Sequence, residues 1–180
     1  TDFQNHLENR VKEVVLKHKN SPNLLGYLYC DVPLWIYPTH VQEMLNEYEM
    51  IYPWVEAMTK LGVGSPGKRQ WLEHLKGRYS NAEEVAKVWG IYYIKMYGLA
   101  WDELFKIKNW ATPVDSKRAI SDMRSFMGII AEKWYSLHYE AVKKYDNKHL
   151  IIGDKSFIDS YEEYMIPVLK KYIDVVAIQS

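Results

Sequence analysis

The chain has 180 residues, of which 48% are hydrophobic and 14% aromatic, so it can bury one sizeable core and is not a disordered segment. Its 23 Lys and Arg residues balance 23 Asp and Glu residues, which excludes the basic excess that favours nucleic acid or an anionic membrane surface. No apolar run reaches the roughly 18 residues of a membrane span, and the single cysteine, Cys30, excludes an internal disulfide and leaves the cellular compartment open.

The first predicted elements are a helix and a strand. Apolar residues recur at helical spacing from Phe3 to Val15, and Asp2 is a suitable N-cap for a helix that runs to about His18. A turn with the sequence Asn-Ser-Pro-Asn ends this helix. The run that follows, at 23–31, shows no alternation of polar and apolar residues, which is typical of a strand buried on both faces in a parallel sheet.

Asp31 falls where this first strand should end. In α/β barrels the residues at the carboxyl ends of the strands carry the chemistry, so Asp31 is a candidate functional carboxylate. The alternative is that Asp31 only caps the turn that contains Pro33, as Asp commonly does at the start of a loop. The sequence around Asp31 leaves both alternatives open.

The segment 32–112 is a long connection that we predict to be mostly helical. Helices are expected at 41–52 and 53–61, after Ser65 as an N-cap, and after Asn81, which forms a capping box with Glu84 and starts a helix that ends at Gly90. Connections of this length within a domain are usually functional. We therefore expect this segment to lie over the active face.

The remainder alternates between helices and strands. Asp115 or Ser116 caps a long helix whose apolar stripe is expected to pack on a sheet, and strands are predicted at 149–154 and 174–179 with a helix between them. This order predicts a single α/β domain over 1–180 with a parallel sheet and right-handed crossovers. A closed (β/α)8 TIM barrel needs eight strands, so three strands predict a fragment from the middle of a larger barrel.

Several stretches resemble agarase-like and related clan-A glycoside hydrolases of the (β/α)8 superfamily. Gly26 to Tyr29, followed by Asp31 and Trp35, is similar to the fourth barrel strand of that family, typically "GYF.DNE.PW". The likeness extends at low to moderate specificity to most of the chain. It includes Trp89-Gly90, 101–104, 131–135, 149–155 and 175–179.

The resemblance implies a glycosidase mechanism but departs from it at one position. An ungapped match places Asp31 on the family's Asn and Val32 on its acid/base Glu. The acid implied by the family is therefore missing, and Asp31 becomes the candidate catalytic residue of this segment. The family's nucleophile is expected at the end of a seventh strand, beyond Ser180.

The remaining candidate residues are expected to bind substrate. Flat aromatic rings with a polar edge suit the faces of sugar rings, and polar side chains at the ends of the later strands would line the same cleft. Packing of the 32–112 segment is the alternative for each of the rings. The candidate substrate-binding residues are Tyr29, Trp35, Trp54, Asp154, Lys155 and Gln179.

Other chemistries lack their sequence signatures. The glycines of LGVGSPGK do not have the spacing of a phosphate-binding loop, and the six His residues include no HExxH motif or paired metal spacing. We therefore predict no cofactor and no metal site. Cys30 as a nucleophile would need a nearby base, and an inert buried thiol is the commoner case.

Two functions of different class follow from the sequence. The first is a glycoside hydrolase-like barrel that acts on a neutral oligo- or polysaccharide. The second is a carbohydrate-binding or structural module on the same scaffold that has lost its acid/base residue, as Val32 indicates. Either needs the remainder of the barrel, or another chain, to cover the sheet edges.

Overall fold

A computed structural model of the chain describes residues 2–31, 33, 35, 52–91, 98–108, 110, 116–157 and 162–179. The chain forms two compact units. The first comprises Thr1–Leu34 and Gly128–Ser180, and the second comprises Trp35–Met127.

The first unit contains a three-stranded parallel sheet, in which the strands are adjacent in the order that they follow along the chain. The three predicted parallel strands are confirmed. The long helix Lys117–Lys143 is shared between the two units, since its residues 128–143 belong to this unit. The elements of the unit are α1 (Asp2–His18), β1 (Gly26–Asp31), α6 (Lys117–Lys143), β2 (Leu150–Phe157), α7 (Ile166–Tyr172) and β3 (Ala177–Gln179).

The strand boundaries differ from the predicted ones for local reasons. Strand β1 starts at Gly26 rather than residue 23, because the Leu24 amide donates to the Ser21 carbonyl and extends the preceding turn. Strand β2 continues past Asp154 because Lys155 and the two residues after it pair with β3. Strand β3 starts late because residues 174 and 175 both donate their amides to the Ile151 carbonyl.

The core of the first unit lies between the sheet and its helices. Val15 of α1, Tyr27 of β1, Val142 of α6 and Ile151 of β2 form one buried cluster. Full burial of an aliphatic side chain of this size contributes roughly 1.5–3 kcal/mol. Val15, from the apolar stripe predicted for α1, and Val142 therefore supply contacts that hold α1 and α6 to the sheet.

The second unit contains the helices of the long connection. They are α2 (Pro53–Lys60), α3 (Pro66–Lys76), α4 (Ala82–Val88) and α5 (Trp101–Lys106), together with residues 117–127 of α6. The helix predicted at 41–52 falls, apart from Tyr52, outside the described residues.

Side-chain caps start three of the helices. The Ser65 hydroxyl accepts the Lys68 amide at 3.4 Å, and the Ser116 hydroxyl accepts the Ala119 amide at 3.3 Å, so Ser116 caps α6. Asn81 accepts the Glu84 amide at 2.8 Å, as the predicted capping box requires. The reciprocal bond differs by one residue, since the Glu84 carboxylate accepts the amide of Ser80 at 3.0 Å.

Aromatic rings fill the core of the second unit. Trp71 is fully buried, and its ring meets those of Trp89, Trp110 and Phe126 edge-on at centroid distances of 5.3, 6.2 and 5.1 Å. Edge-to-face contacts of this kind add about 0.5–1.5 kcal/mol each beyond area burial. They explain why this segment, which has no strand among its described residues, forms a compact unit.

Candidate functional site

Asp31, at the carboxyl end of β1, forms an ion pair with Lys155, which lies two residues before the end of β2. The Asp31 carboxylate lies 2.7 Å from the Lys155 ammonium, and the two side chains are 69% and 37% exposed. The residues are also register partners in the parallel ladder. Two of the predicted site residues are therefore in direct contact and open to solvent.

Two bulges set which residues of β1 and β2 share a face. Tyr27 is the register partner of Ile151, and the next pair is Leu28 with Gly153, so the first bulge leaves Ile152 of β2 without a register partner. The second bulge does the same to the residue after Leu28 in β1. Gly153 has a φ of +74°, a left-handed conformation that is easily reached only by glycine.

The bulge in β2 turns Asp154 toward α6. Ile151 packs against Val142 of α6, and Asp154 accepts a hydrogen bond from Trp134 of the same helix at 3.2 Å. Residues three apart in a regular strand would point to opposite faces. Both of these reach α6, so the bulge reverses the alternation and leaves Lys155 on the face away from that helix.

Gln179 lies on the same face as Lys155. Lys155 is paired with Ala177, and Gln179 lies two residues further along β3. Its side chain is half-buried, and its Oε1 has no hydrogen-bond partner among the described residues. One face of the sheet therefore carries a carboxylate, an ammonium and an amide at neighbouring strand ends.

Tyr29 and Asp154 lie on the helix-facing side. The Tyr29 ring is 4.8 Å from the imidazole of His138 in α6, and its hydroxyl is buried without a hydrogen-bond partner among the described residues. Burial and the carboxylates of Asp154 and Asp174 raise the pKa of the Tyr29 phenol well above its usual value. Tyr29 is therefore a neutral packing group at physiological pH, and Asp154 is fully buried beside Trp134.

Cys30 is a half-buried thiol next to the ion pair. Burial and the carboxylates of Asp154 and Asp31 raise the pKa of the Cys30 thiol. These surroundings disfavour the thiolate, which is the nucleophilic form. The geometry agrees with the inert thiol rather than with a cysteine nucleophile.

Trp35 and Trp54 stack on each other within the second unit. Their ring centroids are 5.6 Å apart with an angle of 19° between the planes. Trp35 is 0% exposed and Trp54 is half-buried. The burial of Trp35 favours the packing alternative for this residue over a position at a cleft rim.

Trp134 and His138 were not among the predicted site residues. Their rings lie 4.2 Å apart, and the His138 imidazole contacts the Trp134 carbonyl through Nδ1 at 2.8 Å. The sequence gives a weak signal for them, because two aromatic residues with polar ring nitrogens stand four apart on the sheet-facing stripe of α6.

The described residues show no group of three or more His, Cys, Asp or Glu residues that could hold a metal ion. Within the same part of the chain, no helix is long and apolar enough to cross a membrane.

The fold of this chain matches one part of several larger proteins, and agarases are among them. It superposes over 99% of its length on 24% of PfGH50B, with a TM-score of 0.76 and 19% identity. It covers 22% of an exo-β-agarase, with a TM-score of 0.74 and 18% identity, and 24% of the agarase AgWH50C, with a TM-score of 0.73 and 17% identity. The agarase-like resemblance is therefore confirmed at the level of the fold.

The chain spans about a quarter of the length of these proteins. No protein-family model and no curated protein matches it. Val32, which the ungapped match with the family places on the acid/base position, lies outside the described residues, so that assignment stays a prediction.

Proposed function

We propose that this chain is part of a (β/α)8 glycoside hydrolase barrel that acts on a neutral oligo- or polysaccharide. The observation that carries this proposal is the fold shared with two agarases over 99% of the chain. The proposed cleft contains Asp31 and Gln179, which are the last residues of β1 and β3, and Lys155, which lies two residues before the end of β2. Active sites of (β/α)8 enzymes are built at that end of the barrel.

In this proposal the three side chains have different roles. Asp31 is the candidate acid/base, and Lys155 and Gln179 bind sugar hydroxyls, one as a donor and the other as both donor and acceptor. Glycoside hydrolysis needs a second carboxylate about 5–10 Å from the first. We place that nucleophile or base outside residues 1–180, on a later strand of the barrel.

We further propose that both units belong to this one barrel domain. Other β/α units of the barrel would cover the edge strands β1 and β3, where apolar side chains such as Leu28 and Ile178 are 48% and 52% exposed. Trp54 remains a proposed sugar contact of the helical segment.

The test is an activity screen of the protein that contains this chain. Agarose and other neutral polysaccharides would be incubated with it, and the products would be separated and identified. Release of defined oligosaccharides supports the proposal, provided that the Asp31→Asn variant releases them far more slowly. Absence of hydrolysis of every polymer contradicts it.

The second candidate function is a non-catalytic carbohydrate-binding module on the same scaffold. It is favoured by the contact between Asp31 and Lys155, because an acid/base carboxylate must exchange that contact for one with the leaving oxygen of the substrate. Binding of oligosaccharides with no hydrolysis, measured calorimetrically in parallel with the screen, would select this function.

A further inference from the structure

Trp134 and Asp154 form a partly buried connection behind the proposed cleft. The Trp134 indole donates to the Asp154 carboxylate at 3.2 Å, and Asp154 is fully buried. Lys155 follows Asp154 directly and carries the ammonium that lies 2.7 Å from Asp31. The side chain that faces the helix and the one that faces the cleft are thus consecutive residues of one strand.

This connection lies just beyond the one conformationally exceptional residue of β2. Gly153 has a positive φ, and the bulge next to it reverses the alternation of the strand. Without the reversal, residue 154 would face away from α6 and residue 155 toward it. The orientation of Lys155 therefore depends on whatever keeps Asp154 on the α6 side.

We infer that Trp134 and Asp154 are positioning residues. Their hydrogen bond fixes which face of the sheet each side chain of β2 points to beyond Gly153, and thereby holds Lys155 against Asp31. This inference rests on the proposed function for its importance to sugar binding. It assigns to Asp154 a role behind the cleft in place of direct contact with substrate.

Other contacts support a rigid backing at this point. The centroid of the His138 imidazole lies 4.2 Å from that of the Trp134 ring, with an angle of 43° between the planes, and its Nδ1 contacts the Trp134 carbonyl. The same imidazole lies 4.8 Å from the Tyr29 ring of β1. Burial lowers the pKa of His138, which favours the neutral imidazole at this position. His138 therefore fixes the position of the Trp134 ring on α6, and the indole N–H of that ring points toward β2.

The experiment compares Trp134→Phe with Trp110→Phe in the protein that contains this chain. Both substitutions remove one indole donor, since the Trp110 N–H donates to the Ile107 carbonyl at 3.1 Å in the second unit. We expect Trp134→Phe to weaken binding of agaro-oligosaccharides about tenfold and Trp110→Phe to leave it within twofold. The tenfold loss should disappear when Lys155 is already Met, because the positioning acts through Lys155.

Binding by folded Trp134→Phe that equals the parent, or a tenfold loss that persists in the Lys155→Met background, would overturn the inference. If Trp134→Phe does not fold, Asp154→Ser takes its place, because its short side chain cannot reach the indole.

If the parent protein binds no saccharide, the proposed function is wrong. The positioning role of Trp134 and Asp154 is then tested by a structural measurement instead of by binding. Crystal structures of the parent and of the folded variant would then be compared. An Asp31–Lys155 separation that stays near 2.7 Å in the variant overturns the positioning role, and a separation above 4 Å supports it.

Discussion

The phenol of Tyr27 in β1 donates a hydrogen bond of 2.8 Å to the carboxylate of Asp146, which lies 119 residues later in the chain. Asp146 also accepts from the amides of Lys148 and His149 and contacts the His149 ring nitrogen Nδ1 at 2.7 Å. This nearly buried carboxylate therefore joins the start of the sheet to the turn that follows α6.

The Asp146 network makes folding sensitive to acid. Burial opposes ionisation, but the hydrogen bonds from Lys148, Tyr27 and His149 outweigh it and hold the pKa of Asp146 well below its usual value. The stabilisation is present above the unfolded pKa of about 3.9 and is lost as the pH falls through the folded pKa. We expect Asp146→Asn to destabilise the protein by about 2–4 kcal/mol at pH 7.

The measurement is urea unfolding of the parent and Asp146→Asn from pH 7 to pH 3. The difference in stability should shrink as the pH falls. Asp102→Asn, at an exposed position in α5, is the control and should follow the parent at every pH. A difference that is independent of pH would remove the carboxylate charge from the explanation.

Lys68 gives a pH dependence of the same sign as Asp146, but at alkaline pH. It is fully buried, and its ammonium donates to the carbonyls of Thr59 at 2.7 Å and Ile107 at 3.0 Å. Burial, with a smaller effect of Lys108, lowers the pKa of Lys68 to about 8. Between about pH 8 and 10.5 the unfolded chain binds more protons at this site, so the contribution of Lys68 to stability should rise with pH.

Melting temperatures of the parent and Lys68→Met between pH 7 and pH 10 test this sign. We expect the melting temperature of the parent to rise relative to that of the variant as the pH rises, because the neutral amine is less costly to bury. The exposed Lys60→Met variant should run parallel to the parent. Parallel curves for Lys68→Met would show that the buried amine does not titrate in this range.

Trp35 is expected to act in stability rather than in binding. Its ring is 0% exposed and stacks on Trp54 at 5.6 Å. Trp35→Ala should cost about 3–5 kcal/mol in unfolding free energy, as buried aromatic truncations do. Val63→Ala, at a side chain that is 49% exposed, should cost less than about 0.5 kcal/mol. A stable Trp35→Ala protein with impaired oligosaccharide binding would instead place this ring in the cleft.

A comparison of Gly153 with Gly90 distinguishes the cost of backbone strain from the cost of side-chain crowding when each glycine is replaced by alanine. Both have positive φ, but a Cβ at Gly90 would meet open space, whereas one at Gly153 would collide with Ile173. Gly90→Ala should cost about 1 kcal/mol and Gly153→Ala clearly more. The Gly153→Ala loss should be partly recovered by Ile173→Val. Equal losses at the two glycines would contradict a role for the Ile173 contact.

Asp31 is predicted to be essential to turnover if the proposed hydrolase is correct. In the protein that contains this chain, Asp31→Asn should lower turnover by on the order of a hundredfold or more, because the general acid/base group is removed. Lys155→Met, which keeps the carboxylate and removes its partner, should raise KM more than it lowers kcat. Near-parent turnover of Asp31→Asn would return Asp31 to the turn-capping role.

Much of the local structure could be predicted from the sequence. The span of α1, the Ser65 and Asn81 caps and the apolar stripe of α6 depend on side chains within a few residues of each other, so their spacing is sufficient evidence. The pairing of Asp31 with Lys155 was partly accessible, since residues at the ends of parallel strands meet at one edge of the sheet.

The tertiary structure decided which residues at those strand ends face which side. Asp154 and Lys155 are adjacent and polar, and alternation alone cannot say which of them reaches the cleft. The bulge at Gly153 turns Asp154 toward α6, where it accepts a hydrogen bond from Trp134, a residue of an element that precedes the strand. The burial of Trp35 and Lys68 is likewise a property of packing between helices, which a linear pattern does not contain.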